Sequence, residues 1–160
     1  MKNEVVVTVE DHRRILRAGV SVSPLVIDTP LRILLAEDDD RLAELVGTNL
    51  TGDGRFIVVG RATTGDDAVT LCEEHEPDIV LMDIGMPGRD GIAATTEIHA
   101  RDPGQHVVIY TGSDEYGDVA RAEDAGAVGY LHKDALTSPD LADALHVLHT
   151  NYLNGTPDPE

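Results

Sequence analysis

Short runs of apolar and β-branched residues alternate along this chain with longer segments in which apolar residues recur every three or four positions. The first pattern is typical of strands and the second of amphipathic helices. Several runs are apolar on consecutive residues, which favours a parallel sheet covered on both faces. The predicted strands are 32–37, 56–62, 78–82, 106–111 and 128–131, and the helical patterns lie near 40–50, 65–75, 91–101, 115–125 and 139–149.

This alternation predicts an α/β fold in which a five-stranded, doubly wound parallel sheet is flanked by helices. Ser138 followed by Pro139 predicts the N-cap and the first residue of the last helix, and Gly126 predicts the end of the helix before it. The single cysteine, Cys72, falls within the second helical pattern, where a small buried apolar side chain is expected.

Composition narrows the possible functions. With 160 residues and 41% hydrophobic content, the chain is expected to form one soluble domain around one core. The formal charge of -18, from 30 acidic and 12 basic residues, argues against nonspecific binding to nucleic acid or to an anionic membrane. There is no signal-peptide pattern, and one cysteine cannot form an internal disulfide, so the cytoplasm is the expected compartment.

Polar residues stand at the carboxyl ends of the predicted strands, the edge where open α/β sheets bind ligands. Glu37 and Asp38 end the first strand, Asp83 follows the third, Thr111 ends the fourth, and Lys133 follows the fifth. Carboxylates, a hydroxyl and an ammonium group at one edge would hold a divalent cation through oxygen and place an anion beside the lysine. Asp83 is the first candidate for a reactive group, because a strand would fix it while a loop leaves it accessible.

Four motifs in this order resemble the receiver domains of two-component response regulators. The resemblance covers 31 to about 149 and implies the flavodoxin-like receiver fold. The segment that begins at Lys133 is most similar to receivers of LuxR-type regulators, which precede a helix-turn-helix output domain. The motifs are LLAED at 34–38, IVLMDIGMPGRDG at 79–91, VIYTG at 108–112 and GYLHKD at 129–134.

The resemblance implies that Asp83 accepts a phosphoryl group from a partner histidine kinase. Thr111 would donate its hydroxyl to a phosphoryl oxygen, and Lys133 would pair with the phosphate. As Thr111 moves, Tyr130 would turn inward and reshape the face of the fourth helix, fifth strand and fifth helix, which in the family binds partners or forms homodimers. Apart from Mg²⁺-dependent phosphorylation and dephosphorylation of its own Asp83, the chain is not expected to be an enzyme.

For the metal, the resemblance implies Mg²⁺ held by Glu37, Asp38, Asp83 and the backbone carbonyl of Gly85. Two positions depart from the family. Gly85 replaces a longer side chain, which would leave one side of the phosphate open to water or to a partner. Asp134 stands where many receivers have proline, so a cis-proline after the lysine is not expected.

Other interpretations stay open. A phosphatase of the haloacid dehalogenase type also uses a strand-end aspartate, but it typically has a second aspartate where this chain has Gly85. A pseudo-receiver, a binding module that is not phosphorylated, would keep the fold; the complete set of site residues argues against it. The acids at 37–40 could also be a solvated helix start, in which Asp39 and Asp40 have no metal role. His146 and His149 are expected at the surface and not at a zinc site.

Two segments flank the predicted receiver domain at 31–149. Residues 1–30 form an extension in which 5–17 reads like a second copy of the first strand, with Glu10 and Asp11 as its acid pair. This copy could pack on the domain edge or on another subunit, take over the metal position, or be mobile; the later copy is favoured because it continues into the fold. Residues 150–160 form a polar tail. The chain would be a stand-alone receiver or part of a longer regulator, without direct nucleic-acid binding of its own.

Overall fold

The computed structural model describes residues 29–112 and 116–153. Five strands form one parallel sheet in the order β2-β1-β3-β4-β5. The strands are β1 (Leu31–Ala36), β2 (Phe56–Ala62), β3 (Ile79–Asp83), β4 (His106–Thr111) and β5 (Gly129–His132). The helices are α1 (Asp40–Asp53), α2 (Gly65–His75), α3 (Gly91–Arg101), α4 (Tyr116–Ala125) and α5 (Leu141–Leu153), and a short 3₁₀ helix (Lys133–Thr137) lies between β5 and α5.

Helices cover both faces of the sheet. Every residue of β3 and β4 is buried, as consecutive apolar residues in a doubly covered strand require. On one face, side chains of β1, β3 and β4 pack against α1 and α5; on the other, they pack against α2, α3 and α4. The predicted doubly wound sheet is confirmed, and it places the carboxyl ends of β1 and β3 side by side.

Most element boundaries agree with the predicted ones, but the start of α5 does not. Residues 133–137 form the 3₁₀ helix, which ends at Ser138 in an extended conformation. The Ser138 hydroxyl accepts from the Asp140 amide at 3.2 Å, and Pro139 lies in the turn. The helix begins at Leu141, so the prediction of Ser138 as N-cap and Pro139 as first helical residue is wrong. Gly126 ends α4 with φ of 102°, as predicted.

Cys72 is the small buried side chain that the helical pattern predicts. It is 8% exposed on the inner face of α2, and its thiol lies 3.5 Å from the Gln105 side-chain oxygen. Burial raises the pKa of the Cys72 thiol to about 11, which keeps it protonated and unreactive at neutral pH.

Two predictions concern segments at the ends of the chain that the structure describes only in part or not at all. The proposed second copy at 5–17, with Glu10 and Asp11, lies outside the described residues, as does the tail from 154 onwards. Helix α5 continues to Leu153, beyond the predicted domain end at 149.

The sequence analysis placed His149 at the surface without a partner, but in the structure the residue is half-buried and paired. Its Nδ1 atom is 2.9 Å from Nδ1 of His106, and the two rings meet edge to face at the amino-terminal end of β4. Sequence pattern could not show this pair, because 43 positions separate its members. Burial lowers the pKa of both imidazoles, and the nearby Asp78 carboxylate opposes this effect only in part.

The histidine pair predicts a pH dependence of stability. In the unfolded chain each imidazole takes up a proton near pH 6.5, whereas the folded pair resists protonation. The unfolded state then binds more protons, so the free energy of unfolding should fall as the pH drops from 7 towards 5. Urea unfolding across this range measures the slope. We expect His149→Gln to flatten it; equal slopes in the wild type and in His149→Gln would contradict the prediction.

Candidate functional site

Three carboxylates that the sequence analysis selected converge at the carboxyl edge of the sheet. Ala36 of β1 is paired with Met82 of β3, so the residues that follow them leave the sheet side by side. One side-chain oxygen from each of Glu37, Asp38 and Asp83 lies within 4.8 Å of the others. Such a gathering of like charges favours a bound cation with oxygen ligands.

Glu37 is the most enclosed of the three carboxylates, with no exposed surface. Its Oε1 accepts from the backbone amide of Asp39 at 3.1 Å, and its Oε2 accepts from the hydroxyl of Tyr110. Burial raises the pKa of Glu37, and the charge of Asp83 adds to that rise, while the Tyr110 hydrogen bond and the positive charge of Lys133 oppose it. Glu37 is therefore a buried carboxylate that is held on both oxygens.

Asp83 is the last residue of β3 and is 5% exposed. Its Oδ1 accepts from the Gly85 amide at 3.1 Å, which orients the carboxylate towards the loop. A Cβ atom at Gly85 would have Asp83 Oδ1, at 3.9 Å, as its one neighbour within 4 Å among the described atoms. The carboxylate is thus held by the strand, and the space beside Gly85 is open; that this space exposes one side of a phosphate stays a prediction.

Gly91, at the start of α3, lets this helix approach the back of Asp83. A Cβ atom at this position would lie 2.0 Å from the Asp83 carbonyl oxygen and 2.8 Å from its carbon. The Gly91 amide also donates to the Ile84 carbonyl at 3.0 Å, which closes the loop between β3 and α3. The sequence analysis gave Gly91 as part of a motif without this structural reason.

Asp39 and Asp40, which the sequence analysis assigned to a helix start, form the start of α1. Asp39 is the N-cap, and its Oδ1 accepts from the Leu42 amide at 3.0 Å. This hydrogen bond lowers the pKa of the Asp39 carboxyl. Asp40 is the first helical residue and pairs with Arg61 at 2.7 Å. Their assignment as helix-start residues is confirmed.

Arg61 of β2 binds the backbone of the segment 37–38, which connects β1 to α1. Its Nε donates to the Glu37 carbonyl at 3.0 Å, and its Nη2 donates to the Asp38 carbonyl at 3.2 Å. The sequence analysis missed Arg61 and Tyr110. For Tyr110 a signal was present, because a tyrosine in a strand covered on both faces must find a partner for its buried hydroxyl. For Arg61 no local pattern pointed to the loop.

Thr111 and Lys133 complete the predicted set at the same edge. Thr111 ends β4, one position beyond the residue that pairs with Asp83, and is 8% exposed. Lys133 opens the 3₁₀ helix directly after β5, and its Cδ would be 3.8 Å from a Cβ placed on Gly112. Its charge opposes the rise in the pKa of Glu37, so it acts on the acidic cluster.

Tyr130, the predicted switch residue, lies on β5 next to this edge. It is half-buried and packs against the core cluster on the face of α2, α3 and α4. Its neighbour across the sheet is Ile109 of β4. A shift of β4 would therefore change the contacts of Tyr130. Its role as a switch stays a prediction.

The family model of the response regulator receiver domain matches residues 33–146. The chain belongs to this family, the receiver domains of two-component response regulators. The resemblance drawn from the four motifs is confirmed. Receiver domains are in general signalling modules and not metabolic enzymes, and no helix within the described ranges is long and apolar enough to cross a membrane.

Known relatives include transcriptional and chemotaxis proteins. The chain is 39% identical over 115 residues to the transcriptional regulatory protein DesR of Bacillus subtilis, across 72% of this chain and 56% of DesR. It is 36% identical over 114 residues to the chemotaxis protein CheY of Halobacterium salinarum, across 71% of this chain and 92% of CheY. The chain spans about half the length of the transcriptional regulators that it matches.

Solved structures agree on the fold. The signal receiver domain of NarL from Mycobacterium tuberculosis matches with a TM-score of 0.71 and 29% identity, over 76% of this chain and 97% of that one. A LuxR-family response regulator from Aurantimonas sp. SI85-9A1 matches with a TM-score of 0.72 and 30% identity, over 77% and 87%. The flavodoxin-like receiver fold and the similarity to LuxR-type receivers are thereby confirmed.

Proposed function

We propose that this chain is a phosphoacceptor receiver in which Asp83 takes a phosphoryl group from a histidine kinase. The observation that carries the proposal is the convergence of the oxygens of Glu37, Asp38 and Asp83 within 4.8 Å. Asp83 alone among these acids ends a buried strand and faces an open loop. A carboxylate in this position is fixed by the strand, and the open space beside Gly85 is where a phosphoryl donor would approach it.

Mg²⁺ is the cation that this donor set fits. Glu37, Asp38 and Asp83, with the backbone carbonyl of Gly85, would hold the ion through oxygen atoms only, which is the ligand type of hard divalent cations. When bound, the ion would neutralise charge on the acidic cluster and on the phosphoryl oxygens. The acids themselves contribute a preformed site, since they are already gathered by β1 and β3.

In the transfer step, an oxygen of the Asp83 carboxylate forms a bond to phosphorus as the bond from phosphorus to the donor imidazole nitrogen breaks. The electron pair of that bond leaves with the imidazole. The Gly85 amide holds Oδ1 of Asp83 in place during this step. Thr111 would donate its hydroxyl to a phosphoryl oxygen, and the ammonium of Lys133 would pair with the added charge.

Phosphorylation would then change a protein-binding face. Addition of charge at Asp83 would draw Thr111 inward and favour the conformer in which Tyr130 also turns inward. Tyr130 lies on β5 and packs against the core cluster, so its movement would alter the face of α4, β5 and α5.

The proposed partners are a histidine kinase and an output unit. The output unit would be a separate protein or a fused helix-turn-helix domain outside this chain, with homodimerisation through the α4-β5-α5 face. A cytoplasmic location fits these partners. The acidic chain itself would not bind nucleic acid directly, because its net charge is -18.

Intact-mass spectrometry tests the proposal. The protein is incubated with acetyl phosphate, with and without Mg²⁺, beside two variants of equal charge change, Asp83→Asn and Asp124→Asn. Asp124 is an exposed acid on α4 and serves as the matched control. A single phosphate adduct that needs Mg²⁺, disappears in Asp83→Asn and persists in Asp124→Asn is expected. No adduct under donor excess would identify a pseudo-receiver, and an adduct that survives Asp83→Asn would identify another acceptor.

A further inference from the structure

Tyr110 of β4 makes a contact that the proposed phosphotransfer does not yet use. It is the largest fully buried side chain in the described part of the molecule. Its hydroxyl donates to Oε2 of Glu37 and also lies 3.1 Å from the carbonyl oxygen of Ala36. The same hydroxyl therefore touches both the end of β1 and the first acid of the metal-binding cluster.

The contact fixes the orientation of Glu37. A carboxylate has two oxygens and about four lone-pair directions. Tyr110 occupies one direction on Oε2, and the amide of Asp39 occupies one on Oε1. With each oxygen tied to a different donor, the carboxylate cannot rotate freely. Its remaining lone pairs are directed by these two bonds, and one Glu37 oxygen lies within 4.8 Å of the oxygens of Asp38 and Asp83.

We propose that Tyr110 is a positioning residue for the divalent cation, which orients Glu37 for binding and does not touch the reacting atoms. The inference rests on the proposed function, because it assumes that the Glu37 cluster binds Mg²⁺. Partners that orient a metal ligand typically change metal affinity about 10- to 100-fold when they are removed. Tyr110 has the geometry of such a partner.

The place of Tyr110 on β4 adds a link to the rest of the site. Successive side chains of a strand point to opposite faces, so Tyr110 and Thr111 leave β4 on opposite sides. Tyr110 belongs to the core cluster shared with α1 and α5, and it pairs in register with Asp83. In this proposal, one residue of β4 orients Glu37, and the next residue carries the proposed phosphoryl-binding hydroxyl.

Tyr110→Phe tests the inference, because it keeps the ring and removes only the donor. Calorimetric titration with Mg²⁺ alone should show affinity weakened about tenfold relative to the wild type. The Mg²⁺ dependence of adduct formation from acetyl phosphate should shift to higher concentration by the same factor. The rate at saturating Mg²⁺ should stay within about twofold of the wild type, because Tyr110 does not contact the phosphoryl group.

Gln105→Met is the matched control for loss of a buried hydrogen bond. Gln105 is 8% exposed and donates to the Pro77 carbonyl at 3.0 Å, at the opposite edge of the sheet. The Gln105→Met variant should have a lower thermal midpoint of unfolding than the wild type but the same Mg²⁺ affinity. If Tyr110→Phe binds Mg²⁺ like the wild type, or if Gln105→Met weakens binding as much, Tyr110 is merely structural and the inference is overturned.

A second variant covers the case in which Tyr110→Phe does not fold. Tyr110→Met also removes the hydroxyl donor while it fills the buried site with a flexible apolar side chain, so it should likewise weaken Mg²⁺ binding about tenfold. Wild-type affinity in this variant would overturn the inference. Failure of the proposed function looks different, since the wild-type protein would then show neither Mg²⁺ binding nor an adduct.

Discussion

Alanine in place of Gly91 should slow phosphorylation of the chain on the order of 100-fold and lower the free energy of unfolding by roughly 3 kcal/mol. The added Cβ would lie 2.0 Å from the carbonyl oxygen of Asp83 and 3.0 Å from the Cα of Ile84. Both neighbours are backbone atoms, so no side-chain rotation can relieve the overlap. Either α3 moves away, or the end of β3 moves together with the Asp83 carboxylate.

The control for this change is Gly47→Ala in α1. Nothing lies within 4 Å of a Cβ at Gly47, and alanine is the better helix former by about 1 kcal/mol. Urea unfolding and intact-mass kinetics on the two variants should therefore give opposite changes in stability, with the adduct rate reduced in Gly91→Ala alone. Phosphorylation of Gly91→Ala at the wild-type rate would show that the close approach of α3 does not position Asp83.

Asp38→Asn should have opposite effects on stability and on metal binding. Asp38 contributes one of three carboxylate oxygens within 4.8 Å, and it is the exposed member of the cluster. Without Mg²⁺, removal of its charge should raise the free energy of unfolding by up to about 1 kcal/mol, because repulsion within the cluster falls. Loss of a residue that only hydrogen-bonds a metal ligand typically weakens metal binding roughly 10- to 100-fold. Because Asp38 would be a ligand itself, Mg²⁺ affinity should fall by at least this factor.

Unfolding curves with and without Mg²⁺ measure both effects in one experiment. A ligand that binds only the folded state stabilises it by an amount that grows with ligand concentration over Kd. The wild type should gain stability with Mg²⁺, whereas Asp38→Asn should gain little at the same concentration. Asp66→Asn, an exposed acid at the start of α2, is the control. A metal-free Asp38→Asn protein less stable than the wild type would contradict the repulsion argument.

The sheet was predictable because its determinants are local. Consecutive apolar residues mark β3 and β4, and the acids that end β1 and β3 converge simply because parallel strands share one edge. The start of α5 was not predictable from local pattern, because Ser138 and Pro139 suit a helix start and a turn equally well. In the structure they form a turn, because they follow directly on the 3₁₀ helix at Lys133–Thr137.

The contacts that orient the site residues could not be predicted from local sequence patterns. Tyr110 meets Glu37 across 73 positions, and Arg61 reaches the Glu37 carbonyl across 24. Each partner is visible only once the strand order is known, because β1 lies between β2 and β3 and Tyr110 reaches it from β4. Motif and spacing gave the reactive residues, whereas the residues that hold them depend on tertiary structure.

The most direct measurement is to locate the phosphoryl group on the chain. After incubation with acetyl phosphate and Mg²⁺, borohydride reduction converts an aspartyl phosphate into homoserine, which peptide mass spectrometry can place. Homoserine at position 83, and at no other aspartate, is expected, and its yield should fall to background when Mg²⁺ is removed. Homoserine at another position with Asp83 unmodified would contradict the assignment of Asp83 as the phosphoacceptor.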